Sequence, residues 1–437
     1  MKLLLQVHLV LWFLIATVCG RDFRRGTFID WGSKRIGKGD VHIYSKAVWS
    51  IINNHASHFD GNIYVEAHAG LYVSSISPRC SLSATLSSSI YGFVNHGVVS
   101  FNAIKGASGY VFKIMGSKFE NNGDLFFSAS GLSSVTCGIK SKRWYNKGCI
   151  HVYQKWKSDS CTHLGYDGLT IVNNGQICFT NHNWKQLAGI SGTGCVTAHG
   201  QSSFYFLKTN LKIAESQIFY LADGETSIMA VASRYRPQTF HVRGFGKING
   251  VANKIGLSSR LYSRVPGRKP WSYDARRGIL TLYTGLYSQR FEIGIGYDVT
   301  KFEIVTDRCR GLPGVHLGAL QYNGPPPHPG MPPQCQPCKP IPSIPGEEKP
   351  PTSYTIDTAT IEPSEEPSEE PVDPTTEPTD EPTVEPTDEP TVEPTVDQPT
   401  TSLTHGLILT VTVTSTSITT TTSTTTAMGT VTVRGWF

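Results

Sequence analysis

The stretch FVNHGVVSF (93–101) recurs in outline three times further along the chain. The copies are FENNGDLFF (119–127), WYNKGCIHV (144–152) and IVNNGQICF (171–179). The aligned asparagines are spaced 26, 25 and 27 residues apart, and each is followed two residues later by a glycine; they are Asn95, Asn121, Asn146 and Asn173. A repeat of this length predicts stacked units, each of which buries its apolar face only against its neighbours.

Apolar residues occupy fixed positions around each asparagine. They lie two residues before it, four after it and six after it, as Phe93, Val99 and Phe101 do in the first copy. The positions three and five after it carry mixed residues. Alternation with a period of two and one apolar face is typical of a half-buried strand. We therefore predict an all-β fold, a right-handed parallel β-helix (β-solenoid), in which equivalent residues of successive coils stack.

The asparagine column is interpreted as a structural ladder. Identical amides about 4.8 Å apart can hydrogen-bond along a stack. We also expect Asn to supply the left-handed backbone that a coil corner requires, and the following Gly to permit the next bend. Weaker copies place Gly192 and Gly244 at the asparagine position. Four unrelated turns, the alternative, would explain neither the shared spacing nor the apolar columns.

Composition divides the chain into segments. Residues 1–20 have the layout of a secretory signal peptide, with a single membrane anchor as the alternative. Residues 21–310 form the predicted β-solenoid head, 311–346 a Pro/Gly-rich neck without a packed core, and 347–437 an acidic, Thr/Pro-rich, disordered and O-glycosylated stalk. Residues 21–340 carry a formal net charge of +19 and residues 341–437 one of −15, as expected for an ordered domain followed by a solvated tail.

Ten cysteines in a secreted chain predict disulfides. The repeat places Cys149 and Cys195 in one outward column two coils apart. That spacing of about 9.6 Å exceeds the roughly 7 Å between Cα atoms that a disulfide tolerates. Each is therefore expected to meet a cysteine in a covering loop, and Cys137 and Cys161 are the nearest candidates in sequence.

The motif CQPC (335–338) has the spacing of a zinc ligand pair. No second Cys/His pair follows it, and it lies in a Pro-rich segment of a secreted chain. We therefore favour a disulfide, with Cys309 as a candidate partner, over zinc.

The segment WSYDARRGILTLYTGLYSQRFEIGIGYDVTKFEIV (271–305) resembles the closing part of the N-terminal domain of the hyphally regulated cell wall proteins (the Hyr/Iff group) of Candida-type yeasts. The opening TFIDWGSKRIGKGDVHIYSKAVWSIINN (27–54) and the Asn-Gly coils are also similar to that family. The resemblance covers about residues 21–310. It implies a secreted, wall-associated adhesin or wall structural protein whose β-solenoid head ends in a small β-sandwich-like module.

One feature departs from the family pattern. Members of this group generally end in a lipid-anchor signal with an apolar tail, whereas this sequence ends in VTVRGWF. The sequence therefore predicts either a truncated or divergent member or a protein held in the wall by other means. Membrane association is expected only through a lipid anchor that this C-terminus does not show.

A polysaccharide lyase or glycoside hydrolase built on a β-helix is the alternative function. Such a site needs carboxylates clustered on one face. The candidates Asp124, Asp159, Asp167 and Asp223 occupy different positions in the repeat. We therefore predict no catalytic residues, no metal site and no cofactor.

Basic residues interleaved with aromatic ones are the remaining functional signal. They occur in SKRWYNKG (141–148), in SRYRPQ (233–238) and most densely between residues 259 and 278. Such surfaces suit acidic glycans through charge, stacking and cation–π contact. The expected partners are cell wall polysaccharide or host-surface glycans and proteins, not nucleic acid, and the alternative is a surface used for solubility or for packing against the acidic tail. The predicted ligand-binding residues are Arg260, Arg264, Arg268, Lys269, Arg276 and Arg277.

Overall fold

The computed structural model describes residues 20–133, 135–348, 411–415 and 427–431. The chain forms two compact units, Met1–Ile356 and Asp357–Phe437. The predicted signal peptide lies outside the described residues, apart from Gly20. The one helix among the described residues is a 3-10 turn, Val299–Lys301, so no helix there is long and apolar enough to cross a membrane.

The first unit consists of short strands. Those of its first half are β1 (Arg21–Phe23), β2 (Gly26–Trp31), β3 (Val41–Ile43), β4 (Ala47–Ile52), β5 (Ala56–Phe59), β6 (Ile63–Val65), β7 (Gly70–Ser74), β8 (Leu82–Ser87), β9 (Gly92–Asn95), β10 (Val98–Ala103), β11 (Tyr110–Asn121) and β12 (Asp124–Ala129). The next are β13 (Val135–Asn146), β14 (Cys149–Gln154), β15 (Cys161–Leu164), β16 (Thr170–Asn173), β17 (Gln176–Thr180), β18 (Asn183–Gln186), β19 (Gly189–Ser191), β20 (Cys195–His199), β21 (Ser203–Phe206), β22 (Ile218–Leu221), β23 (Ser227–Ala230) and β24 (Thr239–Arg243).

The strands that close this unit are β25 (Lys247–Ile248), β26 (Val251–Ala252), β27 (Lys254–Leu257), β28 (Trp271–Asp274), β29 (Ile279–Thr284), β30 (Tyr287–Glu292), β31 (Phe302–Asp307) and β32 (Val315–Tyr322). In the second unit the described residues are β33 (Val411–Ser415) and β34 (Ala427–Val431), which pair antiparallel. The predicted disorder and O-glycosylation of the stalk lie outside the described residues, except that these ten residues form strands that the composition did not predict.

The parallel β-helix is confirmed. One sheet runs in the order β2-β4-β7-β10-β12-β14-β17-β20-β22-β24-β30-β29-β28, and every neighbouring pair from β2 to β30 is parallel. We call this the long sheet. The remaining coil strands form a second sheet. The chain thus alternates between these two sheets, which form the two walls of the β-helix. Each coil lies one strand spacing further along the helix axis than the coil before it.

The apolar columns inferred from the sequence stack in register. Val99 pairs with Leu125, Leu125 with Ile150, and Ile150 with Ile177. These side chains are at most 1% exposed. Aromatic rings stack in the neighbouring columns, with Phe93 and Phe119 5.5 Å apart and Phe101 and Phe127 5.4 Å apart between ring centroids. Stacked apolar columns between the two walls therefore form the core.

The C-terminal end is closed by antiparallel strands, consistent with the expected β-sandwich-like module. Strands β30, β29 and β28 form an antiparallel meander that ends the long sheet, while β32 pairs antiparallel with both β27 and β31. The two groups pack together through Trp271 against Phe302 (5.1 Å between ring centroids) and Tyr297 against Tyr322 (4.8 Å). We call this part the terminal module.

The segment 311–346 was expected to be a neck without a packed core, and the structure differs. Strand β32 lies inside it, and its Leu320 and Tyr322 are buried in the main core. Two short apolar–polar alternations, VHL (315–317) and LQY (320–322), favour this strand. The high Pro and Gly content of the surrounding segment obscured these short alternations.

Residues 323–348, which we call the strap, fold back along the long sheet. Near its start, the carbonyl oxygen of Gly324 accepts a hydrogen bond from the Lys247 N–H (2.8 Å), beside the last coils. Near its end, Glu347 forms an ion pair with Lys105, which follows β10 in the first half of the helix. The strap therefore crosses the sheet from its C-terminal to its N-terminal coils and covers its outer face.

Candidate functional site

The six basic residues predicted to bind a ligand divide between two places in the terminal module. Four of them lie in the loop 258–270, which precedes β28, and the other two lie in the turn that follows β28; all six are exposed. Because β28 has four residues, it separates the two groups by about 13 Å. The structure therefore does not gather the six charges into one cluster.

The loop 258–270 holds its cations against aromatic rings. The guanidinium of Arg268 lies 5.2 Å from the centre of the Tyr283 ring, and Nζ of Lys269 lies 4.8 Å from the centre of the Trp271 ring. Both are within cation–π range. Trp271 is only 8% exposed and packs on Phe302, so it is a core residue. Its ring also contacts Lys269.

In the turn after β28, one of the two arginines is neutralised by an ion pair. Nε of Arg277 lies 2.6 Å from Oδ2 of Asp274, and Oδ1 of that carboxylate accepts hydrogen bonds from the N–H groups of Arg276 and Arg277 (3.1 Å each). The Arg277 side chain holds the pKa of Asp274 below its usual value. Asp274 therefore caps the turn, and Arg277 has little free charge to offer a ligand.

Exposed tyrosines converge around the turn between β29 and β30. Ser233 and Ser288 exchange two backbone hydrogen bonds of 2.9 Å, which brings the run SRYRPQ beside β30. The N–H of Gly285 donates to the carbonyl oxygen of Tyr262 (3.0 Å), which brings in the loop 258–270. The tyrosines that these contacts collect are Tyr235, Tyr262 and Tyr287, which are 73%, 46% and 45% exposed.

We define the tyrosine–arginine surface as Arg234, Tyr235, Tyr262, Arg264, Arg268 and Tyr287. The Arg234 guanidinium lies 5.2 Å from the centre of the Tyr235 ring. Within the described part of the chain, no carboxylate forms an ion pair with the three arginines of this surface. Sequence reasoning noted two of the contributing segments separately but missed Tyr287, because only the fold places it beside them.

The predicted ladder asparagines form a continuous chain of amide hydrogen bonds. Nδ2 of each donates to Oδ1 of the next, at 2.8 Å from Asn95 to Asn121, 2.8 Å from Asn121 to Asn146 and 2.9 Å from Asn146 to Asn173. All four side chains are fully buried. Beyond them the column meets Gly192, which has no side chain, and Gln217 fills the gap by accepting from Asn173 Nδ2 (3.1 Å).

The backbone explanation proposed for these positions is wrong. None of the four asparagines has a positive φ, and the glycines two residues later do not have one either. Those glycines are required by close approach, because a Cβ at Gly123 would lie 2.1 Å from the carbonyl oxygen of Gly97 in the preceding coil. Gly244 was also misplaced, since it directly follows β24 of the long sheet, whereas each ladder asparagine precedes a strand of that sheet.

Two disulfides fix the strap to the long sheet. They join Cys178 to Cys338 and Cys195 to Cys335. CQPC is therefore a disulfide motif, as favoured over zinc, but the suggested pairing with Cys309 is wrong. The structure pairs both cysteines of the motif with the coil wall because the strap crosses β17 and β20.

The outward cysteine column has the predicted register but other partners. Cys149 lies opposite Gln176, and Gln176 lies opposite Cys195, so the two cysteines are two coils apart. Cys149 is unpaired and 4% exposed. The expected partners Cys137 and Cys161 are wrong, because both belong to the second sheet whereas the column lies on the long sheet.

The strap also buries polar groups of the coil wall. Nζ of Lys339 lies 2.7 Å from a carboxylate oxygen of Asp124. Nδ1 of His151 donates to the carbonyl oxygen of Lys339 (2.8 Å), and burial lowers the pKa of this histidine to about 4. The N–H of Gln336 donates to the side chain of Gln176 (2.9 Å). The outer face, whose residues the sequence showed to be mixed in type, is therefore an interface within the protein.

The acidic residues considered for catalysis do not converge. Asp124 pairs with Lys339, Asp159 with Arg310, Asp167 with Lys208, and Asp223 with His199. Each carboxylate thus has a different basic partner in a different place. Among the described residues, no group of three or more His, Cys, Asp or Glu side chains is arranged to hold a metal ion.

Fold and surface together define a class of protein: a parallel β-helix closed by an antiparallel module, with a disulfide-bonded strap and an exposed aromatic and basic surface. The sequence profile of the hyphally regulated cell wall protein N-terminal domain matches residues 11–345. The chain therefore belongs to the hyphally regulated cell wall protein family, as its sequence resemblance predicted, and it is a fungal cell wall protein.

Similar proteins of Candida albicans include hyphally regulated cell wall protein 3, which is 38% identical over 361 residues, 82% of this chain and 28% of the relative. Cell wall protein IFF7 is 40% identical over 324 residues, covering 73% of this chain and 45% of the relative. Cell wall protein RBR3 is 37% identical over 350 residues, covering 80% and 22%. The matched regions thus span less than half of each of these relatives, whose names describe wall proteins and not enzymes.

Proposed function

We propose that the protein is a wall-exposed adhesin or wall structural protein that attaches the cell to acidic glycans or host surfaces. The observation that carries this proposal is the tyrosine–arginine surface, where exposed rings lie among arginines that no described carboxylate neutralises. Rings of this kind stack on sugar faces, and the guanidinium fork suits phosphate and carboxylate groups.

Charge adds a long-range contribution. The net charge of +19 on residues 21–340 speeds encounter with acidic surfaces. Exposed charges are screened over about 8 Å at physiological ionic strength, so attachment should weaken as salt is added. A ligand that bound only through its sugar rings would show little salt dependence.

The test uses the secreted protein on beads and measures attachment to phosphomannan and to epithelial cells between 50 and 500 mM salt. Arg264→Gln/Arg268→Gln should lower attachment several-fold at low salt. Arg276→Gln/Arg277→Gln is the matched control, because it removes the same charge at the other end of β28. Equal attachment by both variants, or attachment that salt does not change, would refute binding through this surface.

A tyrosine variant separates stacking from charge. Tyr235→Ser/Tyr262→Ser/Tyr287→Ser leaves the net charge intact and removes three exposed rings, so it should weaken attachment while the salt dependence persists. Circular dichroism of each variant checks that the β-helix is unchanged. If the tyrosine variant attaches as strongly as the wild type, the aromatic part of the proposal fails.

A further inference from the structure

Two cysteines without a partner lie together where the terminal module meets the coils. Cys161 begins β15, and Cys309 lies in the loop between β31 and β32. Cys161 is in register with Asn183 on the next coil. Sγ of Cys309 lies 3.5 Å from Oδ1 of that same Asn183. The two sulfur-bearing residues therefore meet at one asparagine, with neighbouring strands about 4.8 Å apart.

The loop that carries Cys309 is docked firmly on the coil that carries Cys161. Arg310 Nε lies 2.8 Å from Oδ1 of Asp159, and its NH1 donates to the carbonyl oxygen of Lys157 (2.9 Å). A Cβ added to Gly311 would lie 2.8 Å from Cα of Asp159. Cys309 lies two residues before Gly311, and Cys161 lies two residues after Asp159. The two segments are therefore aligned for a bridge between these cysteines.

We propose that Cys161 and Cys309 form a third disulfide in the mature wall protein. The bridge requires the two side chains to turn towards each other, with Cα atoms roughly 5.5 Å apart as is typical of disulfides. The contact between Gly311 and Asp159, each two residues from a cysteine, holds the two backbones side by side. Forming the bond removes two protons and two electrons from the two thiols. The oxidant is a disulfide of another protein in the secretory pathway, which accepts these electrons and protons and is reduced to a dithiol. The protein already carries two disulfides, as expected in an oxidising compartment.

Lys157 favours the exchange. It is 9% exposed, contacts Oδ1 of Asn183 and lies beside both thiols. Burial raises the pKa of both thiols, and the charge of Lys157 opposes that rise. The thiolate is the attacking species in disulfide exchange, so a neighbouring ammonium speeds the reaction.

The bridge would raise the number of paired cysteines in residues 21–437 from four to six of nine. In residues 21–437, three disulfides leave Cys80, Cys137 and Cys149, all of which are buried. Burial raises the pKa of Cys137 to about 12 and that of Cys149 to about 11, which suits inert core thiols. The closing loop would then be tied covalently to the coils, as the strap is.

Peptide mapping of the full-length secreted protein tests the proposal. Free thiols are alkylated in denaturant without reductant, and the remaining cysteines are reduced and labelled with a second reagent. We expect the first label on Cys80, Cys137 and Cys149 and a reducible link between the Cys161 and Cys309 peptides. The proposal is overturned if Cys161 and Cys309 carry the first label while the strap cysteines carry the second, or if either pairs elsewhere.

Serine variants give a second measurement. Cys161→Ser should expose one new thiol, on Cys309, and Cys309→Ser one on Cys161. Because a single bridge is lost in each case, both single variants and the double variant should lower Tm by the same amount. Losses that add in the double variant would mean two independent thiols and no bridge.

Discussion

Replacing Asn146 with Ala tests the asparagine ladder at its centre. Oδ1 of Asn146 accepts from Asn121 Nδ2 (2.8 Å), and its Nδ2 donates to Oδ1 of Asn173 (2.9 Å). After truncation, Asn121 Nδ2 keeps the carbonyl oxygens of Gly123 and Cys149 as acceptors (3.1 and 3.2 Å). Oδ1 of Asn173 loses its amide donor in a place that water does not reach.

The expected loss follows from this difference between the two neighbours. A buried polar atom without a partner costs about 1–3 kcal/mol, and the net contribution of one further hydrogen bond is about 1 kcal/mol. We therefore expect Asn146→Ala to lower the free energy of unfolding by about 2–4 kcal/mol. The matched control is Lys147→Ala, the next residue, which is exposed and should change stability by less than about 0.5 kcal/mol.

Urea denaturation of both variants, followed by tryptophan fluorescence and circular dichroism, measures the difference. The slope with denaturant should stay that of the wild type, since the surface exposed on unfolding is unchanged. A loss for Asn146→Ala no larger than that of the lysine control would refute an energetically significant ladder and leave the apolar columns as the source of register.

Two further perturbations address the strap and its histidine. Cys335→Ser/Cys338→Ser removes bridges that each span at least 140 residues, so Tm should fall and amide hydrogen exchange in the strap should accelerate, whereas Cys80→Ser should leave that exchange slow. Strap exchange that stays slow in the double variant would mean that packing alone holds the strap. Burial lowers the pKa of His151 to about 4 and that of His182 to about 3, whereas the pKa of an unfolded histidine is near 6.5. Below about pH 6.5 the unfolded state therefore binds more protons than the folded state. The free energy of unfolding should decline as the pH falls from about 6.5 toward 4. His151→Gln should flatten that decline in urea melts between pH 4 and 7, and a slope unchanged from the wild type would show that His151 does not carry it.

Local repetition determined much of this fold. The spacing of Asn95, Asn121, Asn146 and Asn173 predicts which residues of successive coils meet, because a β-helix coil is one repeat long and pairs only with its neighbours. The apolar columns follow by the same logic, since a one-residue slip would turn every side chain to the opposite face. The reason for the glycines could not be read in this way, because the sequence does not show how closely Gly97 and Gly123 approach.

The tertiary structure alone decided what covers the long sheet and where a ligand could bind. The strap joins Cys338 to Cys178 across 160 residues, and its Pro-rich sequence has no periodicity to indicate a partner. The tyrosine–arginine surface forms because Ser233 pairs with Ser288 and Tyr262 lies beside Gly285. Such contacts depend on the path of the whole chain, because each forms only after the intervening coils have set the distance and direction between segments that carry no shared pattern.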